Sequence, residues 1–214
     1  MKTEQLIDML STNVEPVKAG GLKTTLVWAL VVGGAAAFCL MLTTVGLRIG
    51  VTDGFRPGYL ALKLLFTLSL IGLGATLLGG LMHPGQDGQK LFAFVFLPFL
   101  IVACAGIASL VLGWWPMAWG SMIFGMQWAT CLLCIPLFAV VPFAALIWAL
   151  RKGAPTNLTR AGAIAGLVAG ALGATAYAFH CPDDSVPFIT IWYGTLVALC
   201  GVTGAILGPR LLRW

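Results

Sequence analysis

Residues 161–180 read AGAIAGLVAGALGATAYAFH, a run of 20 positions without a formally charged side chain. A segment of this length and composition can cross the roughly 30 Å hydrocarbon layer of a bilayer as one α-helix. Gly162, Gly166 and Gly170 recur in it at four-residue intervals, a spacing that lets another helix backbone approach closely. The segment therefore predicts a membrane-spanning helix that packs tightly against a neighbour.

The rest of the chain has the same apolar character. Of its 214 residues, 60% are hydrophobic and 9% are charged, which is far outside the range of soluble globular domains. The connections between the apolar runs are short, so they leave no room for an extramembrane enzyme domain. We predict an all-α, polytopic membrane bundle of six transmembrane helices. The six runs are residues 26–49, 59–82, 91–112, 122–150, 161–180 and 187–211.

The basic residues of the chain are unevenly placed, and their placement predicts its orientation. Nine of the 12 lie in segments that share one side of the membrane if the N-terminus is cytoplasmic. The positive-inside rule then places both termini in the cytoplasm, so topology rather than nucleic-acid binding accounts for the net charge of +5. No cleavable signal peptide is recognisable, and we expect a multi-pass protein of the bacterial inner membrane. The nine residues are Lys2, Lys18, Lys23, Lys90, Arg151, Lys152, Arg160, Arg210 and Arg213.

The N-terminus is the one sizeable polar segment. We expect residues 1–24 to form a cytoplasmic docking segment and residues 25–214 to form the six-helix transmembrane domain. Apolar residues recur at helical spacing until Pro16 interrupts the pattern, which predicts a short amphipathic helix. Such a helix is too short to be stable alone in water, so it lies either on the membrane surface or on a protein partner. The recurring residues are Leu6, Ile7, Leu10 and Val14.

A second polar stretch, FHCPDDS at residues 179–185, joins the last two predicted spans and carries Cys181. We call it the cysteine loop. Cys131 lies in the fourth span towards the same side, so the two thiols can approach each other if the fourth and fifth helices are neighbours. Such a pair could bind a thiophilic metal ion, switch between dithiol and disulfide, or remain a structural pair. The polar side chains that could support a metal site, or simply cap a helix end, are His180, Asp183 and Asp184.

The other candidate groups carry weaker signals. Cys134 forms a C-x-x-C with Cys131, but the motif lies within an apolar run, unlike the motif of soluble oxidoreductases. Lys63 is the one charge clearly inside a predicted span, and we expect it to snorkel outward. No P-loop, dinucleotide-binding or zinc-protease motif is present. The cysteines expected to act as small hydrophobes near the middles of spans are Cys39, Cys104 and Cys200.

Three parts of the chain closely resemble the NrsF-like family of six-helix membrane proteins. They are MKTEQLIDML with the following VEPV, WATCLLCIPLFAVVPFAALIWALRKGAPT at 128–156, and GALGATAYAFHCPDDSVPFITIWY at 170–193 with the terminal GAILGPRLLRW. That family is named for negative regulation of an extracytoplasmic-function (ECF) sigma factor. The resemblance implies a membrane anti-sigma factor without enzymatic activity or a required cofactor. Its N-terminal segment would hold the sigma factor away from RNA polymerase, and its outward-facing cysteines would sense stress.

The resemblance also implies roles for single residues. Cys131 and Cys181 match the family's two cysteines and are the expected sensor, whether by thiol chemistry or by binding a heavy-metal ion together with His180. Cys134 stands where relatives have a small polar residue, so it is left out of the sensor. The supporting residues are His180, Asp183 and Asp184. The residues expected to form the apolar edge that contacts the sigma factor are Leu6, Ile7, Leu10, Pro16 and Val17.

Two other functional classes stay open on the sequence. A membrane thiol oxidoreductase would need an accessible cysteine pair and a resolving pair, whereas the predicted outer loops carry a single cysteine. A small-solute or metal-ion transporter would normally show intramembrane carboxylates and an internal repeat, and neither is evident. The glycine-rich faces of the fifth and sixth helices also leave a homo-oligomer possible.

Overall fold

The computed structural model describes Thr3 and residues 19–47, 57–82, 89–113 and 119–213. Within these ranges the chain is all-α, and six helices are long and apolar enough to cross a membrane, as predicted. The six spans are α1 (Ala19–Thr44), α2 (Pro57–Leu81), α3 (Gln89–Phe94 and Phe96–Leu112), α4 (Trp119–Phe124 and Trp128–Arg151), α5 (Leu158–Ala178) and α6 (Val186–Leu211).

The docking residues predicted near the N-terminus lie outside the described residues, and their assignment stays a prediction. Helix α1 already begins at Ala19, inside the segment 1–24. We call the end of the bundle that carries the cysteine loop the loop end, and the opposite end, where α1 begins and α6 ends, the terminal end.

The predicted end of the first span at residue 49 is wrong, because α1 ends at Thr44. Gly46 follows with a φ of 73°, and the backbone N–H groups of Val45 and Gly46 both donate to the carbonyl of Met41. A glycine in the left-handed region closes a helix in this way because it has no Cβ to clash. The apolar run continues beyond Gly46, so hydropathy alone places the end too late.

Three of the spans are interrupted, α3 near the terminal end and α4 and α6 at the loop end. Helix α3 breaks at Val95, since Pro98 cannot donate a hydrogen bond to the carbonyl of residue 94. Helix α4 breaks between Phe124 and Trp128, and α6 contains a π-helical turn at Ile189–Tyr193. By contrast, the second part of α4 stays helical past both of its prolines.

Helix α5 lies at the centre of the bundle and contacts α1, α2, α4 and α6. In its spanning window 78% of the residues are buried, against 22–39% in the other five. It also has the lowest mean hydropathy of the six, because its alanines and glycines face protein rather than lipid. The large apolar side chains instead lie exposed on the outer helices, where a bilayer would cover them.

The glycine face of α5 packs directly on the glycines of α6, which confirms the expected close helix contact. A Cβ added at Gly204 would lie 2.9 Å from the Cα of Gly166 and would also collide with the carbonyl oxygen of Gly162. A Cβ at Gly208 would lie 2.8 Å from the Cα of Gly162. Backbone therefore meets backbone along this seam, and any side chain there would force the helices apart.

We expect Gly204→Val to destabilise the bundle by about 1–3 kcal/mol, since the overpacked helix has no flexible neighbour that could move aside. Gly72→Val is the matched control, because a Cβ at Gly72 on α2 has no atom within 4 Å. Unfolding in mixed micelles by titration with SDS measures both variants. Equal loss of stability in the two would contradict the backbone contact.

Candidate functional site

The cysteine loop turns back into the bundle as soon as α5 ends. The N–H groups of His180 and Cys181 both donate to the carbonyl of Tyr177, at 2.9 and 3.0 Å. This tight turn carries the Cys181 side chain inward, and only 1% of the residue is exposed. The polar stretch between the last two spans therefore covers the end of the bundle, and its cysteine faces the protein interior.

Asp183 ties the loop to the break in α4. Its two carboxylate oxygens accept hydrogen bonds from the backbone N–H groups of Met126 and Gln127, both at 2.9 Å. These amides precede the helix Trp128–Arg151, where a carboxylate also favours the helix dipole. Asp183 thus binds the two amides that precede this helix, and the side-chain cap at the start of α6 is Ser185.

The break itself is shaped to receive this carboxylate. Gly125 has a φ of +56°, and a Cβ there would lie 2.6 Å from the carboxylate carbon of Asp183. Ser185 secures the same region, since its hydroxyl donates to the carbonyl of Met122 at 2.7 Å and accepts from the N–H of Phe188 at the start of α6. The loop is therefore joined to both halves of the break.

Asp184 ties the loop to α2 through a buried ion pair. The ammonium of Lys63 lies 3.2 Å from the Asp184 carboxylate and 3.3 Å from the carbonyl oxygen of Cys181. Only 1% of Lys63 is exposed, so the prediction that it snorkels into water is wrong. It does extend towards the loop end, but it reaches a protein carboxylate before it reaches solvent.

Cys131 and Cys181 both lie beneath this cover. They are fully or almost fully buried, and the two thiols lie within electrostatic range of each other and of Lys63. Helices α4 and α5 are neighbours, which was the condition for bringing the pair together. All six cysteines of the chain are free thiols. Cys134, one turn further along α4, is buried as well.

Two tyrosines that the sequence did not single out complete the cluster. Tyr177 of α5 and Tyr193 of the π-helical turn are fully buried, with ring centroids 6.3 Å apart. In the described part of the chain their hydroxyls have no hydrogen-bond partner, although the Tyr193 hydroxyl lies near the Cys181 thiol. Buried phenols without partners are uncommon, and with the two thiols they form a polar cluster inside an apolar bundle.

His180 does not join the two thiols in this structure. Its Nδ1 atom lies 3.1 Å from the carbonyl oxygen of Gly46, the residue that closes α1. Among the described residues, no group of three His, Cys, Asp or Glu side chains converges as a metal-ligand set. The metal site at Cys131, Cys181 and His180 therefore stays a prediction, and it would need the histidine to turn.

Burial makes Cys181 a poor nucleophile in this closed arrangement. Loss of solvent raises the pKa of its thiol, and the neighbouring Lys63 ammonium offsets part of that rise. The thiolate is the reactive form of cysteine, so the closed loop keeps the thiol both covered and protonated. Reaction with a solute requires the loop to open.

Comparisons with known proteins agree on one family. The family profile described as "Negative regulator of sigma F" matches residues 10–214. The chain is 32% identical over 214 residues to the "Probable anti-sigma-F factor NrsF" of Azospira oryzae, with the whole of both chains covered. It is 30% identical over 215 residues to the "Anti-sigma-F factor NrsF" of Caulobacter vibrioides, again over the full length of both. No solved structure matches the chain.

We expect Gly125→Ala to destabilise the protein more than Gly46→Ala. Both positions have positive φ, so each alanine pays about 1–2 kcal/mol of backbone strain. A Cβ at Gly46 meets open space, whereas one at Gly125 also collides with Asp183, which adds about 1–3 kcal/mol.

An Asp183→Ala background separates the two causes of this loss. In that background Gly125→Ala should cost no more than Gly46→Ala, as measured by SDS titration. If Gly125→Ala still destabilised the protein more than Gly46→Ala without the carboxylate, the contact between Asp183 and α4 would be refuted.

Proposed function

The chain belongs to the NrsF family of negative regulators of sigma F, and on that premise we propose how it works. It holds an ECF sigma factor at the cytoplasmic face of the bacterial inner membrane. It releases that sigma factor when metal or oxidative stress on the outer side reaches Cys131 and Cys181. Family membership indicates a regulatory role rather than an enzymatic one.

The charge distribution supports this orientation. The terminal end of the bundle carries basic residues on α1, α4 and α6, whereas the buried cation at the loop end is paired with Asp184. Arg151 donates to the carbonyl of Leu211 at 2.7 Å, and the Lys152 ammonium lies 3.9 Å from the ring centre of Trp148. By the positive-inside rule the terminal end faces the cytoplasm, and the cysteine loop faces the periplasm.

Residues 1–24 are the segment that we assign to sigma-factor binding. They are the most polar part of the chain, and they lead directly into α1 at the terminal end. Both anti-sigma-F relatives align with this segment, since each covers the whole chain. The apolar edge of the predicted helix gives a surface that a sigma factor can cover. We assign that edge to Leu6, Ile7, Leu10, Pro16 and Val17.

The observation that carries the sensing half of the proposal is the burial of Cys131 and Cys181 under one loop. Oxidation would join them in a disulfide. Each thiol would lose its proton, one S–S bond would form, and the two electrons would pass to the oxidant. With diamide as the oxidant, its N=N bond takes up both electrons and both protons.

A soft metal ion offers a second way to link the same pair. Both thiols would lose their protons and bind the ion as thiolates, with His180 as a further ligand after it leaves Gly46. The aspartates Asp183 and Asp184 would then support the ligands from the same loop. Either chemistry would favour an arrangement of the loop that differs from the closed one.

A thiolate–metal link can supply the energy for almost complete release, whereas a disulfide supplies enough for partial release. Moving a two-state protein from 1:99 to 99:1 takes about 5.5 kcal/mol of differential binding. A disulfide contributes about 2–4 kcal/mol and thiolate–metal bonds can contribute more. The signal would travel along α4, because its interruption is bonded to the loop at one end and its last turn reaches the terminal end.

Co-purification tests the binding half of this proposal. The tagged full-length protein is expressed in membranes with each ECF sigma factor of its organism in turn. Wild type should retain one of them through detergent purification, and deletion of residues 1–18 should abolish retention because the docking edge is removed. If no sigma factor is retained by wild type, the proposed partner class is wrong.

The cysteines are tested in the same assay after treating cells with diamide or Cd²⁺. Stress should reduce retention by wild type about tenfold or more, and the variant with Cys131→Ser and Cys181→Ser should keep its partner. Cys134→Ser is the matched control, since it changes a buried thiol one turn away and should respond like wild type. Release by the double variant under stress would exclude the sensor assignment.

A further inference from the structure

We propose that Lys63 is the positioning residue of the sensor. Through Asp184 and the Cys181 carbonyl, it holds the cysteine loop closed over Cys131, and loss of this tie opens both thiols to solutes. The inference deepens the proposed function and rests on it for its meaning, although the closure itself can be measured without any sigma factor.

The location of Lys63 is the first reason for this assignment. It lies on a membrane-spanning helix and is 1% exposed, and a buried ammonium in such a place is costly unless it has a specific partner. Its partners are both in the cysteine loop, 118 and 121 residues away along the chain. The charge is therefore used to bind the loop to α2 rather than to stabilise α2 itself.

The second reason is that different residues hold the two parts of the loop. Asp183 and Ser185 secure the distal part of the loop to α4, while Lys63 secures the Cys181 carbonyl directly. Removing Lys63 would thus remove the side-chain bond to the Cys181 carbonyl and leave the distal part of the loop bonded to α4. No other described side chain bonds to the Cys181 carbonyl.

The third reason is the aromatic ring that lies next to the ammonium. The Lys63 nitrogen lies 5.9 Å from the ring centre of Tyr193, whose hydroxyl is near the Cys181 thiol. Lys63, Tyr193 and Cys181 therefore meet from α2, α6 and the loop. Lys63 therefore links α2 to α6 and to the loop at the point where Cys181 is buried.

The test is the rate at which N-ethylmaleimide alkylates Cys181 in the purified full-length protein in detergent, located by peptide mass spectrometry. Lys63→Met and its double variant with Asp184→Asn should each react about tenfold faster than wild type or more, because both lack the bond to the Cys181 carbonyl. Asp184→Asn alone keeps that bond and should react at an intermediate rate. Lys63→Arg keeps a cation that can donate to both oxygens, so it should react more slowly than Lys63→Met.

General unfolding is separated from loop opening by a second thiol. Cys200 is buried between α5 and α6, where its side chain would meet a Cβ at Gly170, and its alkylation should stay slow in every variant. The double variant leaves no unpaired charge in the bundle, so it should fold even if the single variants do not.

Two results would overturn the positioning role. One is alkylation of Cys181 in the double variant at the wild-type rate. The other is equal acceleration at Cys200, which would make Lys63 a residue of general stability. If Cys181 opens as expected but no sigma factor is retained by wild type in the co-purification assay, the positioning role stands and the proposed function fails.

Discussion

A charged group inside an apolar bundle has to be paired, and this requirement organises the whole loop end. Lys63 has almost no contact with solvent, so its ammonium binds the Asp184 carboxylate and the Cys181 carbonyl. The same requirement applies to the two backbone N–H groups at the break in α4, which donate hydrogen bonds to the Asp183 carboxylate. Two adjacent aspartates thus join one loop to two helices, and the buried thiols lie beneath them.

The loop can act as a cover because the helix before it is fixed. Helix α5 is surrounded on four sides, and its glycines bring the backbones of α5 and α6 into contact. Packed interfaces of this kind do not deform gradually, so motion is concentrated in the parts with fewer contacts. The irregular backbone at the loop end consists of the cysteine loop, the interruption at Gly125 and the π-helical turn with Tyr193. All three surround the cysteine pair.

The sequence predicted what depends on composition and spacing. Six apolar runs became six helices, and the glycines at 162 and 204 packed as their intervals indicated. It could not predict the pairing of Lys63 with Asp184, because that contact joins residues 121 positions apart through the tertiary fold. The tyrosines gave no signal either, since an aromatic residue in an apolar run is usually core.

Two further differences have equally local causes. The first helix ended early because one glycine adopts positive φ, a property that hydropathy does not record. Ser185 caps the start of α6, so Asp183 is left to bind the two amides that precede the second part of α4. The cysteine pair was expected from its place along two neighbouring helices, and the structure adds that the pair is covered. Access to the thiols, more than their identity, is therefore the property that a signal must change.

Under the proposed function, opening of the cysteine loop and release of the partner are one event. Hydrogen–deuterium exchange on the full-length protein, bound to its sigma factor and treated with diamide, measures both together. We expect the amides of Met126 and Gln127, which are bonded to Asp183 in the closed loop, to lose protection at the oxidant concentration that frees the sigma factor. Release of the sigma factor while these amides stay protected would contradict it.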